Sequence, residues 1–152
     1  MEELRQLYNS LPTYDKLYKT EPVVEGTDYH IAVLSDEAYD TAKGLINYYR
    51  RVAGLGDITL SDDVNESAAY GALALAMNNS GLTHYPSQPK DMSSIDYNKA
   101  YAATTSSNLS SASGYLEKRI ISLAVSGQIG DSDSSNIGTL GHRRWLLNPG
   151  VK

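Results

Sequence analysis

The chain has 152 residues, 41% of them hydrophobic and 20% charged, with a net charge of −5 and no cysteine. That length suits one domain with a core large enough to stand without disulfides, and the composition carries no disordered tract. It excludes a thiol nucleophile, cysteine-ligated zinc and, since the longest basic clusters are Arg50-Arg51 and Arg143-Arg144, a nucleic-acid partner.

In chain order, Met1-Glu2-Glu3-Leu4 is acidic and polar and does not read as a signal peptide, so the protein either stays inside the cell or has lost its export signal. Residues 1–34 read as an N-terminal extension: a short helix over Glu2 to Leu11, punctuation by Pro12 and Pro22, and extended pieces at Val23-Val24 and His30 to Leu34. Ser35 is placed to cap the first long helix, with Asp36 and Glu37 at its positive end. Its apolar stripe is Ala38, Ala42, Leu45, Ile46 and Tyr49, and Gly54 and Gly56 end it ahead of an extended Ile58 to Leu60. Ser61 is the expected cap of a second, alanine-rich helix, with Asp62 and Asp63 in its first turn, running through Val64, Ala68, Ala72, Leu75 and Ala76, whose small side chains call for close approach to a neighbour. Asn78, Asn79 and Gly81 stop it, and His84 follows in a proline-containing loop. Ser93 and Asp96 resemble a capping box for a third helix, and Ala102 to Leu109 reads as a short strand. Ser113 is the expected cap of a fourth helix with the stripe Leu116, Ile120, Leu123 and Ala124, ended by Gly127 and Gly130. A polar loop, Asp131 to Gly138, leads to a short helix in Gly141-His142-Arg143-Arg144-Trp145-Leu146-Leu147, stopped by Asn148-Pro149-Gly150. No stretch approaches the roughly 20 apolar residues of a membrane span, and the net negative charge opposes anionic membranes. With 12 Tyr and no Phe, tyrosine takes the packing that phenylalanine would otherwise do and can line half-wet walls.

Several of these pieces form an ordered set. They are Asn47-Tyr48-Tyr49-Arg50, the Leu60-Ser61-Asp62 helix start, His84 after the alanine-rich helix, Ser106-Ser107-Asn108-Leu109, and the late Gly141-His142-Arg143 with Leu147-Asn148-Pro149. The set resembles the CAP superfamily, the SCP-like extracellular family of cysteine-rich secretory proteins, antigen 5 and plant pathogenesis-related proteins. The Gly-His-Arg-Arg-Trp-Leu-Leu-Asn-Pro run is most similar to bacterial members, and the likeness covers about residues 38 to 150. The resemblance implies an α+β chain, an α-β-α sandwich of the CAP type with a small antiparallel sheet between helices. It divides the chain into the extension 1–34 and a CAP domain over 35–152. In the family, two more strands follow the Asn-Pro segment, so a chain stopping at Val151-Lys152 is expected to lack its last two strands, and either to be less stable alone than a complete domain or to self-associate through an open sheet edge.

The resemblance also implies an exported or cell-surface location and a cleft where two histidines and two acids meet, which in some relatives binds zinc or another divalent cation. His84 and His142 match the histidines and are the metal ligands that the resemblance implies. Ser107 and Asn108 fall on the Gly-Glu-Asn-Leu-type motif, so Ser107 stands where the first glutamate would be. The second glutamate has no direct match, and Asp131 or Asp133 lies in its region. Stable mononuclear zinc sites use three or four protein ligands, so such a cleft should hold a cation weakly. A place near the start of a short helix would favour the neutral form of His142. Taken singly, each histidine is as well read as a half-buried structural residue, and Ser107 as a loop hydrogen-bonder rather than a nucleophile.

Three lesser signals carry nothing. Gly130-Asp131-Ser132 lacks the context of an esterase nucleophile, Asp131 to Asn136 lacks the glycine and glutamate of a calcium loop, and the Asn-x-Ser triplets at Asn65, Asn78 and Asn108 are common by chance. The leading functional expectation is a binding module, more a binder than an enzyme, for a small ligand, a lipid-like molecule, a peptide, a divalent cation or a cell-surface component. The alternatives are a metal-assisted hydrolase of peptide or cell-wall material and an interaction domain with a relic cleft.

Overall fold

In the computed structural model, the described residues are 2–79, 81–134 and 136–151. Ser80 of the Asn78 triplet, Ser135 of the acidic run, and the two chain ends, Met1 and Lys152, lie outside them. The elements are, in order, α1 (Glu2–Asn9), β1 (Tyr18–Thr20), β2 (Val33–Leu34), α2 (Asp36–Val52), α3 (Asp62–Asn78), α4 (Ser94–Ser106), a 3-10 turn (Glu117–Arg119), α5 (Ile120–Gly130) and α6 (Gly141–Leu146). The class is α+β, mostly helical with a small antiparallel strand pair, as expected. The chain divides into two compact units, one of Met1–Leu17, Ser35–Thr59 and Ala112–Lys152, the other of Tyr18–Leu34 and Leu60–Ser111.

The first unit is built on α2. Ser35 caps it as its sequence predicts, accepting the Ala38 N–H at 3.1 Å, and Gly54 leaves it with a φ of +73°. Thr41 spends its hydroxyl on the carbonyls of Pro12 and Glu37, fastening the segment before the strands to the helix. Tyr8 of α1 meets Tyr48 of α2 edge to face at 5.2 Å.

The start of α5 differs from expectation. Ser113 caps nothing, Leu116 is 66% exposed, and the α-helix begins only at Ile120, after the 3-10 turn. The reason is tertiary: buried Tyr14 donates to the Glu117 carbonyl and accepts the Ile121 N–H, while the Glu117 carboxylate accepts the Leu17 N–H. A remote phenol thus supplies the capping that a local serine was expected to supply.

The second unit centres on α3 against α4; Ser61 stands at the N-cap position of α3 in extended conformation, but its side chain makes no capping hydrogen bond. A side chain added at Gly71 would lie 3.3 Å from Thr104 Cγ2 and 3.4 Å from Ala103 Cβ, so the helix backbones approach as the alanine-rich sequence calls for. Leu73, Ala74, Met92 and Ala100 are buried in this contact, with Tyr29, Ile31, Tyr70, Met77 and Tyr97 packed around them. The strands pair antiparallel, Tyr18 with Leu34 and Thr20 with Val33, with an irregularity between the two pairs. Val23 and His30 continue the ribbon as an isolated bridge. Tyr29 ties this ribbon to α4, accepting the Ser93 N–H and donating to Asp96 Oδ2 at 2.7 Å. Ser93 caps α4 through the Asp96 N–H and returns its own hydroxyl proton to Asp96. Burial pushes the Asp96 carboxyl up, but hydrogen bonds from Tyr29, Ser93 and Tyr70 outweigh it and hold it below its usual value.

The strand expected over Ala102 to Leu109 is instead the last turn of α4, which runs to Ser106, followed by extended Ser107. Thr105 and Ser106 turn their hydroxyls back onto the Tyr101 and Ala102 carbonyls, so β-branched and polar residues remain helical here.

Candidate functional site

The candidate residues fall into one group in each unit. In the second unit His84 is exposed, and its ring Nδ1–H donates to the Thr104 carbonyl at 2.6 Å. A carbonyl can only accept, so the neutral ring is the tautomer with its lone pair on Nε2. Thr104 itself is buried and forms part of the wall of a groove of about 440 Å³. Ala68, Gly71, Ala72, Leu75 and Ala76 of α3 make one apolar side, and Leu82, Ala103 and Leu109 complete it. Thr104, Ser107, Asn108, Ser110 and Ser111 place hydroxyls and an amide along the same groove. Ser107 and Asn108 therefore share one concavity, and His84 reaches its wall through Thr104.

In the first unit Asp131 ends α5 in the left-handed conformation, with φ +47°, and its side chain is fully buried. Oδ1 accepts the ring Nδ1–H of His142 at 2.9 Å, and Oδ2 accepts the backbone N–H of Arg143 at 3.2 Å. Of the two acids in this region, Asp131 is the one that meets a histidine, while Asp133 is exposed. The Arg143 guanidinium donates to the Ile129 and Gly130 carbonyls, where a cation complements the negative end of α5. His142 lies in the first turn of α6, which follows Leu140 at a φ of +52°, a conformation that costs an L-residue with a branched side chain about 1 kcal/mol or more.

Burial pushes the Asp131 carboxyl up, and the bonds from His142 and Arg143 outweigh it, so the group sits below its ordinary value of 3.8. A depressed carboxyl contributes stability above its unfolded value and loses it as pH falls through that value to the folded one. The expected result is that Asp131→Asn melts below the wild type at pH 7, and that the gap closes as the pH is lowered from 5 through about 4 to 3. Melting curves of both proteins across that range check it, and a gap constant with pH would remove the carboxylate from the account.

Sequence reasoning missed the role of Arg50, noted as half of a basic pair and as the end of the Asn47-Tyr48-Tyr49-Arg50 run. Arg50 is 1% exposed, and four of its N–H bonds go to the carbonyls of Gly56, Leu146, Asn148 and Val151. Its position four residues after Ile46, on the apolar face of α2, is the signal that could have found it.

The histidines are prepared as metal ligands usually are, with Nδ1 held by a carbonyl or a carboxylate. Their surroundings do not complete a centre: among the described residues no group of three or more His, Asp or Glu side chains is gathered to hold an ion. Stable zinc sites use three or four protein donors, so these described side chains do not by themselves make up a zinc centre.

The elements and sites define a mostly helical α+β chain with a concave apolar groove in one unit and a buried Asp131 paired with His142 in the other. The family model of the cysteine-rich secretory protein family, CAP, matches residues 43–152, and the chain belongs to that family. At a general level the family is one of extracellular binding and interaction modules. Comparison with curated proteins and with solved structures gives no match. No helix among the described residues is long and apolar enough to cross a membrane.

Proposed function

We propose that the second unit binds a small amphipathic, lipid-like ligand, its apolar chain lying along α3 and its polar head at Ser107, Asn108 and the His84–Thr104 wall. The groove carries this reading. Its volume of about 440 Å³ falls within the roughly 300–1,000 Å³ of small-molecule sites, and its walls pair an apolar side with a few hydroxyls and amides. Small side chains on α3 leave the space open: exposed Ala72 and Ala76 stand where larger residues would fill it. The hydrolase alternative needs a gathered set of three or more metal donors, which is not found among the described residues, and it is not favoured.

The test is titration with a fluorescent fatty acid and its displacement by an unlabelled twelve-carbon acid. Ala72→Phe should weaken binding about tenfold or more, the effect of excluding about two methylenes at ~0.8 kcal/mol each, while leaving the melting temperature in place. Equal affinity in the variant, or no saturable binding by the wild type, would remove the groove from consideration.

A further inference from the structure

Helix α6 has six residues, none of them buried, and a helix that short does not hold itself together in water. It is fastened at both ends by polar groups of its own unit. Asp131 takes the His142 ring N–H and the Arg143 backbone N–H at one end, and Arg50 takes the Leu146 and Asn148 carbonyls at the other. What this fastening presents to solvent is Trp145, the only tryptophan of the chain and 61% exposed. Beside it Arg144 is exposed: its backbone N–H donates to the Leu140 carbonyl at 2.9 Å, while its guanidinium makes no hydrogen bond or ion pair among the described residues.

These two residues line a concavity of about 310 Å³ with Thr139, Gly141 and Asn148. Asn148 turns its Oδ1 onto the Gly150 N–H at 2.8 Å, which leaves the amide N–H groups as donors. Thr139 gives its hydroxyl proton to the Asn136 carbonyl at 3.2 Å and keeps acceptor lone pairs. Gly141 allows the tight bend, since a side chain there would lie 2.9 Å from Asn136 Oδ1.

We propose that this face of α6 binds an acidic saccharide, a pyranose ring carrying a carboxylate. A pyranose has one C–H face that suits an exposed indole and a rim of hydroxyls that needs both donors and acceptors. The guanidinium supplies a planar fork for the carboxylate. Arg144 opposes a cation over the indole. Among the described residues the lining also lacks other large apolar side chains of the kind that pack a tryptophan anchor in a protein interface. The backbone is held in place beforehand by Arg50 and Asp131, which lowers the ordering cost of binding. The site rests on residues other than those of the groove and stands or falls separately from it.

The experiment is titration of the whole chain with a trisaccharide of galacturonic acid, followed by fluorescence, to which Trp145 is the only indole contributing. A saturable change is expected, with a neutral glucose trisaccharide binding about tenfold more weakly, the worth of one charge-assisted pair. Arg144→Gln should bring the acidic sugar down to the affinity of the neutral one. By calorimetry Trp145→Ala should lose both, with an unchanged melting temperature showing that the fold survives. Flat titrations into the millimolar range, equal affinity in Arg144→Gln, or a protein ligand held at Trp145 while the saccharides fail would each overturn the assignment.

Discussion

Arg50→Ala is expected to cost about 3–5 kcal/mol, as loss of a buried, fully bonded charge does, and to lower Tm by roughly 10 °C or more. The guanidinium is buried without a carboxylate partner; four carbonyl oxygens take its charge instead. One of them, Leu146 O, lies at the C-terminus of α6, where the helix dipole is negative, and two more belong to the segment that follows. Alanine would leave these acceptors facing a void, and hydrogen bonds to a charged donor are worth about 1.5–3 kcal/mol each before water replaces some of them. Arg50→Lys keeps the charge but has no planar fork, so it should recover only part of the loss. Denaturant melts of the three proteins read this directly, and an alanine variant within 1 kcal/mol of the wild type would show that water serves these carbonyls equally well.

Arg50 also bears on how a member of a family named for its cysteines holds its C-terminal segment with none. A disulfide restrains a chain by removing freedom from the unfolded state. Arg50 restrains only the folded state, joining α2 to residues about 100 positions later through directed hydrogen bonds. The Tyr14–Glu117 pair makes a second long-range tie of the same kind, again between side chain and backbone. Both ties depend on burial and geometry, so both vanish together with the native fold.

This explains which features were legible in the sequence. Helices with a local signal were: Ser35, Ser93, Asn79 and the Asn148-Pro149-Gly150 stop act where their residue types predict. The start of α5 was not, because its cap comes from Tyr14, about 100 residues away. The false strand at Ala102 to Leu109 arose from threonines whose hydroxyls bond within the helix, a choice that composition does not reveal. At the sites, His84 and His142 stood out by resemblance, and Asp131 by region. Their orientation depends on the Thr104 backbone carbonyl and on a left-handed residue at the end of α5, neither of which has a sequence signature. Arg50 was hidden because arginine ordinarily faces water.

The second large effect is expected at Leu73, where Leu73→Ala should cost about 2–4 kcal/mol. Leu73 is 3% exposed at the α3–α4 contact, and two of its three buried neighbours in that cluster, Ala74 and Ala100, are already as small as the replacement. Alanines cannot swing into a void, so collapse around the missing methyls rests on Met92 and the partly buried Met77. Leu73→Met conserves volume and should cost less than about 1.5 kcal/mol. The neighbouring position behaves in the opposite way. Ala72 points into the groove, and enlarging it should block the ligand while leaving stability alone. Two adjacent residues of one helix therefore separate the core from the groove: truncation at 73 should destabilise the unit, and enlargement at 72 should close the groove. Thermal melts and fatty-acid titrations on both variants measure the four quantities. If Leu73→Ala kept its Tm, or Ala72→Phe lost it, the division of α3 into a packed face and a ligand face would be wrong.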